Sequence, residues 1–584
     1  MDINTDRKSL KILRRVSAQV RTQSLIPYYK MKGDAAAPCE YKYFPRSSPE
    51  SVGLSSELIS DYIAELYETK ETVTDTVQII RGGRVIGESE YYPYRFDTWH
   101  VCYSYSKSIT GLAIGLLIGE GRLSVDDRVQ KFFADIKPAI INPLLKNLKV
   151  RHLLNMTSGV RFNEMGSVTE TDWVRCFLES VPKTEPGTAF DYNSMNSYML
   201  SAIVTKITGL PMVDYLETRL FAPMGISHKY WTACPNGINC GGWGLYLLPE
   251  DMAKFGQLIL LRGAWEGKQL VPADWIDTMC QKQADVPSAV SSYSYGYQIW
   301  VSPDIDMVVL NGMYGQNTLV FRKSGIVVSL TAGNENLFHD NPAFAVTVKY
   351  FGSIEGEITP LKPDNAGYNA LKELQRDYRR PDYKVSLIGR KIGVAEPLPE
   401  ECADWDGTAY LYNTKEYGST GLLPLTVQCA HNCFALGVKR VAFKVTGGRF
   451  YCRVTEGDKI YNLPVGFGKA RYCDLVFGED KYKVAVLGRF FVDEDDNNVL
   501  LVKLHFLEMG AVRTLRFEPH GEVLKTRYSE KPGINFFTGS VSHFLKDIKS
   551  VPVIKDWLSS GGEDYLRFRC LPVFEPTVTG LKMR

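Results

Sequence analysis

The chain has 584 residues, a formal net charge of +2, and 45% hydrophobic and 12% aromatic content. That length supplies two or three domains, each with a core of its own. The near-neutral balance gives nucleic acid no electrostatic purchase. No apolar run approaches the roughly twenty residues of a membrane span.

Residues 1–44 read as an N-terminal leader. They are basic, with Leu10, Leu13, Val16 and Val20 at helical spacing, which predicts a surface helix. They contain no apolar run followed by a small-residue cleavage site, so they do not read as a secretory signal. On that reading the twelve cysteines predict free thiols in a reducing cytoplasm. A hairpin is expected over 76–92, turning at Gly82-Gly83.

The next segment carries the densest chemistry. Ser104-Tyr105-Ser106-Lys107 runs into an apolar stretch where Ile109, Leu112, Ala113, Leu116 and Leu117 recur at helical spacing, and Gly119 and Gly121 mark its end. Residues i and i+3 share a helix face, so Ser104 Oγ and Lys107 Nζ can meet. A lysine held against a buried helix loses solvation, which lowers its pKa and lets it take a proton. A serine at a helix N-terminus also turns its own N–H toward a developing oxyanion. Ser180-Val181-Pro182-Lys183 repeats the pattern as text, but a proline interrupts it and no helical run follows, which predicts loop.

Helical segments dominate from Ser104 to about Leu261, and Tyr192 stands just ahead of a helix expected from near Ser197 to Gly209. Strands then return, and Gly312, Gly315 and Gln316 open an apolar one. Prolines at 360, 363, 381, 397 and 399 and a charged stretch predict a linker with one short helix over 358–400. Beyond it, short strands turning at Gly447-Gly448, at polar clusters and at His520-Gly521 predict an antiparallel barrel or sandwich.

The remaining candidates point to structure. Cys234 with Cys240, and Cys429 with Cys433, lack a second pair at zinc-site spacing, so core thiols and no metal are expected. Cys102, two residues before Ser104, reads as an oxidation liability rather than a nucleophile. The eight histidines are scattered; His152 reads as a hydrogen-bonded structural residue and His100 as structural or pocket-shaping. No Gly-x-Ser-x-Gly elbow exists, which argues against an α/β-hydrolase route.

The Ser104–Lys107 segment, the Tyr192 segment 88 residues further on, and the Gly312 strand together resemble the serine β-lactamase and penicillin-binding protein superfamily. The similarity is strongest to its class C-like branch of esterases, D-aminopeptidases and nylon-oligomer hydrolases. It extends over about residues 45–350, including "KVRHLLNMTSGV" and "GGWGLYLLPEDM". The resemblance implies a mixed α/β (α+β) fold: an antiparallel sheet flanked by helices plus a helical lobe, in a β-lactamase-like domain at 45–357. The β-rich region at 401–584 is loosely similar to the lipocalin-like barrels appended to some D-aminopeptidase relatives.

The resemblance further implies Ser104 as nucleophile, Lys107 and Tyr192 as its base pair, and the backbone N–H groups of Ser104 and Met313 as an oxyanion hole. Which of Lys107 and Tyr192 is the base stays open. Ser194, Asn311, Gly312, Tyr314 and Trp243 fall where substrate would bind. Two positions depart from the family pattern. Ser194 stands where asparagine is usual, and Leu310-Asn311-Gly312 lacks the basic residue with which penicillin-recognising members grip a carboxylate. The expectation is a cytoplasmic serine hydrolase that forms an acyl-enzyme on small esters, amides or short peptides, D-residue peptides included, without a cofactor. Penicillin-binding or β-lactamase activity, and non-catalytic ligand binding on the same fold, are the alternatives. Partners are limited to a small-molecule or short-peptide substrate, with oligomeric state and the role of the β-rich region left open.

Overall fold

The computed structural model describes residues 42–583 apart from 71, 137–141, 168, 289, 336–340, 382–397, 413–419, 432, 495, 535–567 and 569–570. The leader helix expected across 10–20 lies outside the described residues. Two compact units divide the rest, one ending at Asp377 and the other starting at Tyr378.

The first unit is built on a seven-stranded antiparallel sheet. Its strands are β1 (Thr74–Arg81), β2 (Arg84–Glu90), β3 (Ser294–Tyr295), β4 (Trp300–Ser302), β5 (Met307–Gly312), β6 (Gln316–Phe321) and β7 (Ile326–Ala332), in the order β2-β1-β7-β6-β5-β4-β3. The chain ends of the unit therefore meet in mid-sheet, where β1 pairs with β7. Gly82 and Gly83, with φ of 60° and 68°, make the expected turn between β1 and β2.

Every residue of β1 is buried, because both faces of the sheet are covered. On one face Ile79 meets Ile59 of helix α1 (Ser56–Glu68) close to Gly87, where an added Cβ would lie 2.3 Å from Ile59. On the other, Gln78 Nε2 donates to Glu250 of helix α4 (Pro249–Leu260) at 3.1 Å. Adjacent residues point to opposite faces of a strand, so these two contacts define two covering layers. Helix α5 (Pro342–Phe351) joins α1, with Tyr62 OH bonded to Thr347 Oγ1 at 2.8 Å.

The helical lobe centres on α2 (Ser106–Gly119) and α3 (Ser194–Thr208). Helix α2 ends where Gly119 and Gly121 predict. Its apolar spacing suggests one buried stripe, yet every residue from Ser106 to Leu117 is buried. Two features allow this. Gly115 lets Trp275 lie against the backbone, its Nε1 donating to Gly111 O at 3.0 Å, and Gly111 lets Met279 and the Tyr297 carbonyl come close. The polar face is bonded too, Ser108 Oγ to Gln298 O (2.8 Å) and Thr110 Oγ1 to Gly241 O (2.7 Å). Helix α3 begins at Ser194, three residues before the expected start, because the Asn193 side chain caps it by accepting from Met195 N at 2.9 Å. It closes at Gly209, φ 74°. The decoy Ser180–Lys183 lies past the end of the helix Trp173–Glu179, with Lys183 paired to Asp191.

In the second unit nine strands close into a barrel: β8 (Ala409–Tyr412), β9 (Val438–Thr446), β10 (Arg449–Glu456), β11 (Lys459–Phe467), β13 (Asp480–Val492), β14 (Asn498–Phe506), β15 (Ala511–His520), β16 (Val523–Lys531) and β17 (Thr577–Lys582). A tenth, β12 (Arg471–Phe477), pairs with β13 outside the ring. The expected antiparallel pattern holds around the barrel except at its closure, where β11 meets β13 in parallel through Gly466↔Leu487 and Phe467↔Gly488. Its core is aromatic, with Trp405, Phe443, Phe450, Phe490 and Phe517 in ring contact. The ten cysteines among the described residues are free, and no group of metal-ligating side chains is found among those residues. No described helix is long and apolar enough to cross a membrane.

Candidate active site

Ser104 sits in a single 3-10 turn, Tyr103–Tyr105, that leads into α2. The turn is fixed from both sides. Ser106 Oγ donates to Tyr103 O at 2.6 Å and accepts from Leu245 N at 3.3 Å, while Cys102 N donates to Leu245 O at 2.7 Å. Tyr103 takes a positive φ of 47°, a conformation that costs a non-glycine residue about 1–2 kcal/mol. Ser104 keeps some exposure while Tyr103, Tyr105, Ser106 and Lys107 are buried.

One turn on, Lys107 Nζ lies 2.9 Å from Ser104 Oγ, 2.7 Å from Ser194 Oγ and 3.0 Å from Gly242 O. It is 1% exposed. Burial lowers its pKa to about 7, with the charge of Glu164 acting in the opposite direction. The Tyr192 ring lies under the amine, 4.8 Å from Nζ to the centroid, and its hydroxyl has Ser104 as a hydrogen-bond partner. Burial raises the Tyr192 phenol, Ser104 partly offsets that, and Glu164 adds to it. Tyr192 is wedged by Trp300, stacked at 5.6 Å, and by the edge of Tyr295 at 6.0 Å. Ser104, Lys107, Tyr192 and Ser194 therefore converge on one point.

The third segment reaches the same point from the sheet. Strand β5 ends at Gly312, where a Cβ would stand 2.3 Å from Cys102 O. Only a glycine lets the two backbones approach this closely. Met313 begins the turn that follows. Tyr314, φ 64°, packs edge-on against Tyr103 at 5.2 Å and is buried. Asn311 is buried and its amide donates to Asn317 Oδ1 at 2.8 Å. Trp243 follows the carbonyl that meets Lys107 and stacks on Trp173 at 5.8 Å.

Two participants escape the sequence reading. Gly242 supplies an acceptor to Lys107, and its Cβ would clash with Ser194 at 2.8 Å; the double glycine before Trp243 is the signal. Glu164 is exposed at the start of a short helix. The chain just ahead of it is tied to the tyrosine segment by Asn193 Nδ2, which donates to Val160 O (3.1 Å) and Phe162 O (2.8 Å). Nothing local in the sequence marks it. Cys102 is fully buried with its thiol pushed up by that burial, so the expected oxidation liability does not hold. His152 is structural, accepting from Lys149 N at 3.2 Å.

The Beta-lactamase family model matches residues 59–345. That segment is a domain of the Beta-lactamase family. The chain is 27% identical over 295 residues to the 6-aminohexanoate-dimer hydrolase of Paenarthrobacter ureafaciens, covering 45% of this chain and 74% of that protein. It is 21% identical over 315 residues to penicillin-binding protein 4* of Bacillus subtilis (strain 168), covering 45% and 68%. Among solved structures, a family VIII carboxylesterase is similar at 16% identity with a TM-score of 0.44, covering 52% of this chain and 97% of that one. The β-lactamase family domain and the likeness to the 6-aminohexanoate-dimer hydrolase support hydrolysis as the activity, without naming its substrate.

Proposed function

We propose that the chain is a serine hydrolase in which Ser104 is the nucleophile, neutral Lys107 its general base and Tyr192 a protonated relay. The observation that carries this reading is the contact set of Lys107. A neutral amine has two N–H donors and one lone pair. Gly242 O can only accept, and Ser194 Oγ takes the second N–H, so the lone pair is left for the Ser104 hydroxyl. The lowered pKa makes that neutral form available near pH 7, whereas the raised Tyr192 phenol stays protonated and is the poorer base.

Ser104 Oγ would attack the acyl carbon as Lys107 takes its proton. The N–H groups of Ser104 and Met313 would hold the oxyanion, and the proton would pass by way of Tyr192 to the leaving group. Water then releases the acyl group. The substrates that fit are small esters, amides or short peptides without a carboxylate beside the scissile bond. Leu310-Asn311-Gly312 offers no cation, the Asn311 amide is occupied by Asn317, and Glu164 adds negative potential at Lys107 and Tyr192.

The test is a fluorophosphonate probe weighed on the intact protein, beside short-chain nitrophenyl esters and a chromogenic cephalosporin. Native protein is expected to gain one adduct and to cleave the esters, and Ser104→Ala to do neither. Undiminished labelling of Ser104→Ala would overturn the nucleophile, and efficient cephalosporin hydrolysis would overturn the substrate class.

A further inference from the structure

Next to the turn that ends β5 lies a buried acid–base pair that the proposed chemistry does not use. Asp75 and His100 are 0% and 2% exposed, with Asp75 Oδ2 3.4 Å from His100 Nε2. Asp75 owes its direction to a β-bulge. Thr74 pairs with Ala332 and Thr76 with Thr331, so Asp75 is the extra residue between them. Such a residue is turned out of the ladder's alternation. His100 lies on a two-residue strand paired to Leu247, four residues ahead of Ser104. Gln316 lies against the imidazole. It faces Gly312 in register, and its amide grips Ala332, donating to the carbonyl at 2.5 Å and accepting from the N–H at 3.4 Å. Ala332 is the partner of Thr74 beside the bulge, so the bulge, the pair and Gln316 lie together in one buried cluster. One side of the cluster is the strand that delivers Ser104. The other is the turn that delivers Met313.

We propose that Asp75 and His100 are positioning residues that, through Gln316, fix the Gly312–Gly315 turn against the Ser104 turn so that their two N–H groups converge on one oxyanion. The inference rests on the reading of Ser104 as nucleophile. The two turns touch without slack, since a Cβ on Gly312 would lie 2.3 Å from Cys102 O, and a shift of about 1 Å in such a site costs up to about a hundredfold in rate. Burial pushes Asp75 well above the usual carboxylate range and His100 down to about 3, so the acid keeps its proton and can donate it to a neutral imidazole. An asparagine amide can make the same donation.

The test compares His100→Leu, Asp75→Ala and Asp75→Asn in the full chain. It reads the rate of fluorophosphonate labelling, kcat and KM on a nitrophenyl ester, and Tm. His100→Leu and Asp75→Ala are expected to lose about 10- to 100-fold in kcat and labelling rate, at near-constant KM and with complete labelling at the end point. Asp75→Asn is expected to recover most of that loss. Native kcat in either disruptive variant, with only Tm lowered, would overturn the proposal, as would an Asp75→Asn no faster than Asp75→Ala. Ser104→Ala separates the two readings. If it still labels, the nucleophile is wrong; if it is silent while His100→Leu labels at the native rate, only the positioning role fails.

Discussion

Lys107 is held by two hydroxyl oxygens and a carbonyl, none of which carries the negative charge that would keep an amine protonated in a buried place. Activity should therefore rise with pH as the amine loses its proton, and kcat/KM on an uncharged ester is expected to show an acidic limb near pH 7. Glu164 raises the Lys107 pKa, so Glu164→Gln should move that limb to lower pH. The same variant should improve kcat/KM for a carboxylate-bearing ester relative to a neutral one. A limb that stays in place would remove Glu164 from the site's electrostatics. At this scale the sequence is legible where partners are close along the chain. Ser104 and Lys107 are three residues apart, and helix geometry alone brings them together. Gly242, Glu164 and the Asp75–His100 pair act across long separations, through a glycine strap, an asparagine tether and a bulge. Period and spacing carry no trace of those contacts.

Elements position the site through close backbone approaches more than through side-chain bulk. Strand β5 reaches the Ser104 turn because residue 312 has no Cβ, and the 241–242 strap reaches α3 for the same reason. Gly312→Ala should force the strand end away from Cys102 and lower kcat by about a hundredfold. Far-ultraviolet circular dichroism should stay native, since the strand's other registers are untouched. Native activity in that variant would show that the approach can relax. The hairpin and both helix C-termini are readable because glycines with positive φ mark them. The full burial of α2 is not, because Ser108 and Thr110 are buried by bonding to carbonyls on distant segments. The start of α3 is displaced for a similar reason, a side-chain cap winning over apolar spacing.

At the level of the whole chain, each unit carries its own core, and the barrel also buries charge. Arg513 and Glu530 meet at 2.7 Å, both buried, and Glu530 also accepts from Leu425 N and Thr426 N. Arg513→Met would leave that carboxylate without its cation and should destabilise the barrel by about 3–5 kcal/mol. Urea titration would show a lower midpoint in the barrel's own unfolding transition, and an unchanged midpoint would argue that the pair is dispensable. The sequence makes a β-rich unit plain through its regular turns, yet it leaves barrel and sandwich equivalent, because closure depends on one short pairing between strands that are not neighbours in sequence order. That pairing has a consequence for how the barrel breathes. Two residue pairs close the ring at 466–467 and 487–488, whereas nine join β13 to β14. A seam so short needs the fewest bonds to part, so deuterium should reach the amides there well before those along the β13–β14 interface, and the barrel would unzip lengthwise from this line.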